Sequence, residues 1–356
     1  MTMRYTLLGK SGVRVSELAL GTMTFGDDRS LPAAARARLL DRFAEAGGNL
    51  LDTANEYGNG TAETALGALL SGRRDAFVLS TKYTMQTRPG DPNSAGNHRK
   101  NLVASLEASL RRLRTDYLDV LWVHARDTLT PVPEVMRALD DQVRAGKVLY
   151  VGVSDWPAWE VAQANTLAEL RGWSPFVGFQ LRYNLLDRTA ERELLPMALA
   201  FDLAVLAWGP LADGRLTGKY LDGGTGRLDR VDWGSPRGDG DDVVREVVRV
   251  AEAVGRPPAQ VALAWLRTRP GTVIPLIGAT SREQLDQNLA SVEVVLDDEH
   301  LDALDAASAV PMGFPHTFLR FPAMTRLIYG DRWRDVDDRR RTVGRAVTDD
   351  VFSRRG

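Results

Sequence analysis

The 356-residue chain has no cysteine at all, and only five lysines (Lys10, Lys82, Lys100, Lys147, Lys219) and four histidines. The missing cysteines exclude a disulfide framework, a thiolate nucleophile and any cysteine metal site, and they accord with a reducing compartment. The few histidines lack zinc-ligand spacing, so no metal is expected. No apolar run approaches the ~18 residues of a membrane span, and the N-terminal MTMRYTLLGKSG has no signal-peptide core. Charge of one sign is also lacking: the net value of −2 gives no electrostatic reason to bind nucleic acid or an anionic membrane. With 44% hydrophobic and 26% charged residues, the composition is that of an ordinary folded core with a solvated surface. The expectation is a soluble cytoplasmic protein, its oligomeric state open.

Against this background the pattern along the chain is regular. Tyr5–Leu8, a Gly9-Lys10-Ser11-Gly12 turn and the stretch from Val13 to Leu20 read as a β-hairpin running into an apolar strand from Leu18. Further short apolar strands are expected at 49–52, 77–82, 117–123, 148–153, 176–181, 203–208 and 273–277. Helical periodicity covers 32–46, 61–71, 97–113, 132–144, 156–171, 189–200, the pair 241–254 and 257–268, then 281–290 and 298–307. Strands this apolar, each followed by an amphipathic helix, imply a parallel sheet covered by helices. Counted from Leu18 there are eight such units, which predicts an α/β fold of the (β/α)8 TIM-barrel type, with the hairpin plugging its N-terminal end. A doubly wound open sheet would place a Gly-x-Gly-x-x-Gly turn after an early strand, and the nearest glycine pair, Gly9 and Gly12, lies inside the hairpin.

In a barrel of this kind, functional groups stand at the C-terminal ends of the strands. Asp52, Lys82, His124, Ser154, Asp155, Gln180, Trp208 and Gly278 all fall there, and Tyr57 follows Asp52 by one short polar turn. A carboxylate at the end of an apolar strand needs a partner, and Lys82 is the prime candidate in a chain so poor in lysine.

With these positions laid out, the chain resembles the aldo-keto reductase superfamily. The stretches that carry the likeness are LALGTMTFG, LLDTANEYGNGTAE, VLSTKY, RLRTDYLDVLWVH, GKVLYVGVSDW, FQLRYNLLDR, VLAWGPLADGRLTGKY and PLIGATSREQLDQN. They occur in the family's order and span residues 4 to 310, leaving 311–356 as a C-terminal extension of a single barrel domain. The resemblance implies reduction of aldehydes or ketones with NADPH, NADH serving as a weaker substitute. It also implies a catalytic tetrad of Asp52, Tyr57, Lys82 and His124. In that tetrad the Lys82 ammonium, held by Asp52, favours the Tyr57 phenolate and eases proton donation, while His124 orients and polarises the carbonyl.

The same resemblance implies a cofactor cleft. Gly21, Thr22 and Met23 line it, and Ser154, Asp155 and Gln180 hold the nicotinamide carboxamide, although Asp155 stands where asparagine is usual. Trp208 replaces a stacking tyrosine, and Gly209, Pro210 and Leu211 run along the pyrophosphate beneath a flap at 222–241. Gly278, Thr280 and Ser281 offer backbone amides to a 2′-phosphate at a helix N-terminus. Gln284, Gln287 and Asn288 match adenosine-binding positions. Thr24, Phe25, Tyr57, Tyr83, Trp122, His124 and Arg126, with Trp208 and the tail residues Phe314, His316, Phe318 and Phe321, are candidate walls of a substrate pocket. The charge-rich stretch beyond Asp331 reads as a solvated helix or a partner surface. Two alternatives to a general reductase stay open: a cofactor-binding regulatory subunit with little turnover, and a biosynthetic reductase with one dedicated keto substrate.

Overall fold

The computed structural model describes residues 3–26, 31–221, 223–226, 240–332 and 335. The hairpin comes first, as β1 (Tyr5–Leu7) paired antiparallel with β2 (Arg14–Ser16). The barrel strands are β3 (Ala19–Gly21), β4 (Leu50–Asp52), β5 (Val78–Tyr83), β6 (Leu118–Val123), β7 (Val148–Ser154), β8 (Phe176–Arg182), β9 (Ala204–Trp208) and β10 (Val273–Ile277). They are parallel and close on themselves, β10 pairing with both β3 and β9, so the expected eight-stranded barrel is the observed one.

Strand periodicity explains how one strand serves two environments. Successive side chains point to opposite faces. On β5, Val78 packs in the barrel interior and Ser80 and Lys82 reach Asp52 there. Leu79 and Tyr83 belong to the outer core beneath the helices, and Thr81 meets a helix residue, Glu63.

The hairpin closes the bottom. Leu8 and Val15 are fully buried in the interior cluster with Ala19, Leu50, Val120, Ala204 and Leu206. Gly9 makes this approach possible: its φ is +55°, and a Cβ there would stand 2.1 Å from the carbonyl oxygen of Val177. No other residue fits that backbone and that space.

Helices wrap the barrel: α1 (Ala33–Glu45), α2 (Thr61–Leu69), α3 (Arg99–Leu113), α4 (Val132–Arg144), α5 (Ala158–Arg171), α6 (Leu194–Ala200), α7 (Asp241–Val254), α8 (Pro258–Arg267), α9 (Arg282–Leu289) and α10 (Asp298–Ala307). Their starts follow local chemistry. Ser281 Oγ accepts the Gln284 amide at 3.3 Å, and Asp297 caps α10 through the His300 amide at 2.9 Å. The helix expected at 189–200 divides into a 3-10 turn, Thr189–Glu191, and α6. There Arg188 is drawn instead into a buried pair with Glu191.

The tail continues as α11 (His316–Leu319) and α12 (Pro322–Tyr329). His316 Nε2 lies 3.0 Å from Glu193 Oε1 just ahead of α6, at the end of the barrel where the βα loops gather. The stretch 336–356 and most of the expected flap at 222–241 lie outside the described residues. No helix among the described residues is long and apolar enough to cross a membrane.

Candidate active site

At the C-terminal ends of β4 and β5 the Asp52 and Lys82 side chains form an ion pair that is almost wholly buried. Lys82 Nζ also donates to the Thr53 carbonyl at 2.8 Å and approaches the Tyr57 hydroxyl at 3.1 Å. Asp52 uses its other oxygen, Oδ1, to accept from Ser80 Oγ at 2.9 Å and Gln180 Nε2 at 3.0 Å. A buried charge pair is costly unless its remaining donors and acceptors are met, and these contacts meet them. The Tyr57 and His124 rings stand edge to face, with centroids 6.2 Å apart. The structure therefore brings Asp52, Tyr57, Lys82 and His124 into one cluster, although they come from three different βα units.

The electrostatics of the cluster follow from burial. Burial works against the Lys82 ammonium, but Asp52 and Tyr57 outweigh it and hold the amine above its ordinary range. For Tyr57 the balance falls the other way: burial pushes the phenol up, and Lys82 only partly offsets it. Lys82 favours the phenolate as expected, but desolvation of the anion is the larger effect and leaves the phenol above its ordinary range. The resting phenol keeps its proton, and the ammonium 3.1 Å away stabilises the phenolate when that proton leaves. Burial, then Lys82, holds the His124 imidazole well below its usual range, so it is neutral near pH 7. Its Nδ1 is buried and has no hydrogen-bond partner among the described residues.

The positions expected to hold a cofactor form a rim beside this cluster. Ser154 and Gln180 are register partners on β7 and β8, both buried. Gln180 spends its amide on Asp52, a role that sequence reasoning missed. Asp155, with φ +51°, accepts from Trp208 Nε1 at 3.0 Å and so braces the indole. Burial raises the Asp155 carboxyl, against hydrogen bonds from Trp208 and Ser154.

Thr22 is fixed to the Asp52 carbonyl through both its amide, at 2.9 Å, and its hydroxyl, at 3.0 Å. Gly21 ends β3 beside it, and Met23 opens the turn that follows. Thr24 Oγ1 donates to the Ala279 carbonyl at 3.2 Å, joining this loop to the one after β10. Pro210 is buried, while Leu211 packs against the outer core. The Gly209 carbonyl accepts from Asn184 at 2.9 Å.

After β10, buried Asn288 holds the Gly278 carbonyl at 3.2 Å, and Gln284 Oε1 accepts both the amide and the hydroxyl of Thr280 at 2.9 Å. Gln287 is exposed on the same helix. Arg282, the nearby cation, is engaged with Asp286 at 3.6 Å. At Gly209 and Gly278 the space where a Cβ would point holds no atom within 4 Å, so the backbone there is open to close approach by a ligand.

Several expected pocket walls lie elsewhere. Tyr83 and Phe25 are buried in the outer core, and the Tyr83 hydroxyl donates to the Asn97 carbonyl at 3.2 Å. Alternation along β5 turns Tyr83 away from the face that carries Lys82. Trp122 points inward beside Lys82 but is fully buried, filling the interior over Gly152 and Gly178. Arg126 is engaged by Glu160 at 2.8 Å and lies over Trp156, 4.9 Å from the ring centroid. Phe314, Phe318 and Phe321 cluster together but are 82%, 42% and 56% exposed, so they enclose no pocket among the described residues. Ser80 was missed although it shares the Lys82 face two positions earlier, a spacing that period-2 reading could have used.

The aldo/keto reductase family model matches residues 17–309. A norsolorinic acid reductase of Emericella nidulans is 40% identical over 324 residues, covering 87% of this chain and 82% of that protein. An aryl-alcohol dehydrogenase of Pestalotiopsis microspora is 35% identical over 342 residues, covering 91% of this chain and 87% of the relative. An aldo-keto reductase of Aspergillus calidoustus is 34% identical over 334 residues, covering 88% and 84%.

Proposed function

Because the chain belongs to the aldo/keto reductase family, we propose that it reduces the carbonyl of an aldehyde or ketone to an alcohol, with Tyr57 as proton donor. A nicotinamide cofactor, NADPH by preference, supplies the hydride when bound. The observation that carries this reading is the position of Lys82 Nζ, shared between the buried Asp52 carboxylate and the Tyr57 hydroxyl at 3.1 Å.

The chain's own groups then have defined tasks. Tyr57 keeps its proton until an oxygen with developing negative charge is placed against its hydroxyl. Lys82 stabilises the phenolate that results, and Asp52 keeps Lys82 charged and aimed. His124, neutral at pH 7, hydrogen-bonds the carbonyl oxygen without competing as an acid. Ser154, Asp155 and Trp208 form the wall that orients the nicotinamide. The loop from Gly278 to Ser281 and the first turn of α9 take the adenosine end, where amides at a helix N-terminus favour a phosphate. The Thr280 amide is already held by Gln284 and Arg282 pairs with Asp286, so the preference for the 2′-phosphate is modest.

The relatives' names point to aromatic carbonyls, an aryl alcohol being the product of one such reduction. The relatives named norsolorinic acid reductase favour a second reading, a reductase dedicated to one keto substrate. The deciding experiment is NADPH oxidation at 340 nm across aromatic aldehydes, aliphatic aldehydes, diketones and keto-sugars, with Tyr57→Phe as control. Turnover that falls by at least ~100-fold in the variant, with cofactor binding intact, is expected for loss of a general acid. Turnover that survives the substitution overturns the assignment of Tyr57.

A further inference from the structure

Thr84 lies two residues beyond Lys82, where β5 has just ended. It is 7% exposed and has φ +114°. For a β-branched side chain that backbone is a genuine outlier, and such strain persists only where the surroundings impose it. Glycine would relax it. The threonine has a hydroxyl that glycine lacks, and its contacts show what it does.

Thr84 Oγ1 donates to Asn97 Oδ1 at 2.7 Å and accepts the backbone N–H of His124 at 3.2 Å. The same N–H also reaches the Tyr83 carbonyl at 3.0 Å, a three-centre bond at the point where the chain leaves β6. Asn97 is fully buried and extends the bracing. Its Nδ2 donates to the Ala125 carbonyl at 3.0 Å, and its amide donates to Asp127 Oδ2 at 3.0 Å. Asp127 in turn accepts from the Leu129 amide at 2.8 Å. On the other side, the Thr84 carbonyl accepts the Gly96 amide at 2.8 Å. The strand that carries Lys82 and the loop that carries His124 are thus joined by the Tyr83 carbonyl together with one hydroxyl and one amide side chain.

We propose that Thr84 is a positioning residue for carbonyl reduction: its hydroxyl, held by Asn97 and a strained backbone, sets where the His124 imidazole stands relative to Tyr57. The proposal rests on the reductase reading above. His124 Nδ1 has no hydrogen-bond partner among the described residues, so beyond its edge-to-face contact with Tyr57 the imidazole is placed through its backbone anchor. Moving that anchor displaces the group that meets the carbonyl oxygen, while Lys82, Asp52 and Tyr57 stay where they are.

The test compares Thr84→Gly, Thr84→Val and Thr84→Ser. Glycine relieves the strain and removes the hydroxyl, valine keeps the branch and removes the hydroxyl, and serine keeps the hydroxyl alone. Two readouts are taken: kcat and KM for the best carbonyl, and the 13C–1H NMR signal of the His124 ring, assigned with His124→Gln. The expected result for Thr84→Gly is a single cooperative unfolding transition as in wild type, a shifted His124 signal, and kcat lower by at least ~10-fold with cofactor Kd unchanged. Thr84→Ser restores both kcat and the signal. The proposal is overturned if Thr84→Gly keeps kcat within about twofold and leaves the His124 signal unmoved. Should Thr84→Val fail to fold, the glycine and serine variants still decide. If wild type turns over no carbonyl, the reductase reading falls by itself, and the NMR signal alone then decides whether Thr84 sets the imidazole.

Discussion

The indole of Trp122 occupies the space that a side chain at Gly152 would need: a Cβ built on Gly152 would stand 2.3 Å from the ring. Gly178 on the next strand is covered in the same way, its Cβ position 2.7 Å from the indole. One large residue on β6 and two absent side chains on β7 and β8 therefore make the layer that lies level with Lys82, since Trp122 and Lys82 are register partners.

Gly152→Val should be strongly destabilising, because the clash is with a fully buried ring rather than a flexible tip. Overpacking of this kind costs about 1–3 kcal/mol or more, read as a lower urea midpoint at constant m-value. Adding Trp122→Leu should recover part of the loss. A double variant no more stable than Gly152→Val alone would show that the indole is not what the new side chain meets.

Removing Lys82 strands a charge. Lys82→Met is expected to lower stability by about 3–5 kcal/mol near pH 7, the cost of leaving Asp52 buried without its partner. The double variant Asp52→Leu, Lys82→Met should lose less than the single one. Equal losses would mean that the ion pair is not the source of the effect.

His124 gives a pH dependence with a definite sign. Its folded pKa is depressed, so below pH ~6.5 the unfolded chain takes up a proton that the folded protein refuses. Stability from this residue is complete above pH ~6.5 and declines as pH falls, by up to ~1.4 kcal/mol per pH unit until the folded imidazole titrates. The measurement is the difference in unfolding free energy between wild type and His124→Gln from pH 7.5 down to 5.0, which cancels the other titrating groups. A difference independent of pH would contradict the depressed value.

Asp155 places a titratable carboxylate beside the proposed nicotinamide wall. Its pKa is raised, so wild type sheds this negative charge as pH falls toward the raised value. Binding of the polyanionic NADPH should tighten as it does so. Asp155→Asn can still accept from Trp208, and it should bind NADPH tighter at pH 8 by up to ~10-fold, about 1.4 kcal/mol. Fluorescence titration at pH 8 and 5.5 reads both effects, and an unchanged affinity at pH 8 would remove Asp155 from the cofactor's surroundings.

Thr280→Arg supplies a cation at the proposed 2′-phosphate position. NADPH should then gain on NADH in Kd by at least ~10-fold, the worth of one charge-assisted hydrogen bond to a phosphate. A ratio that does not move would show that this loop does not read the phosphate.

Much of this was legible in the chain itself. Eight apolar strands, their helices and the hairpin follow from periodicities contained within a dozen residues, because burial of one face is a local pattern. The cluster was legible for the same reason: Asp52, Lys82 and His124 each stand at or beside a strand's end, and a barrel gathers strand ends at one rim. What the folded barrel alone decided is how distant groups compete. Trp122 fills the interior because two glycines on other strands leave it room. Gln180 serves Asp52 across 128 residues of chain, and Thr84 holds His124 across 40. At the Tyr57 phenol burial outweighs Lys82, a balance that exists only once the barrel has closed around the cluster.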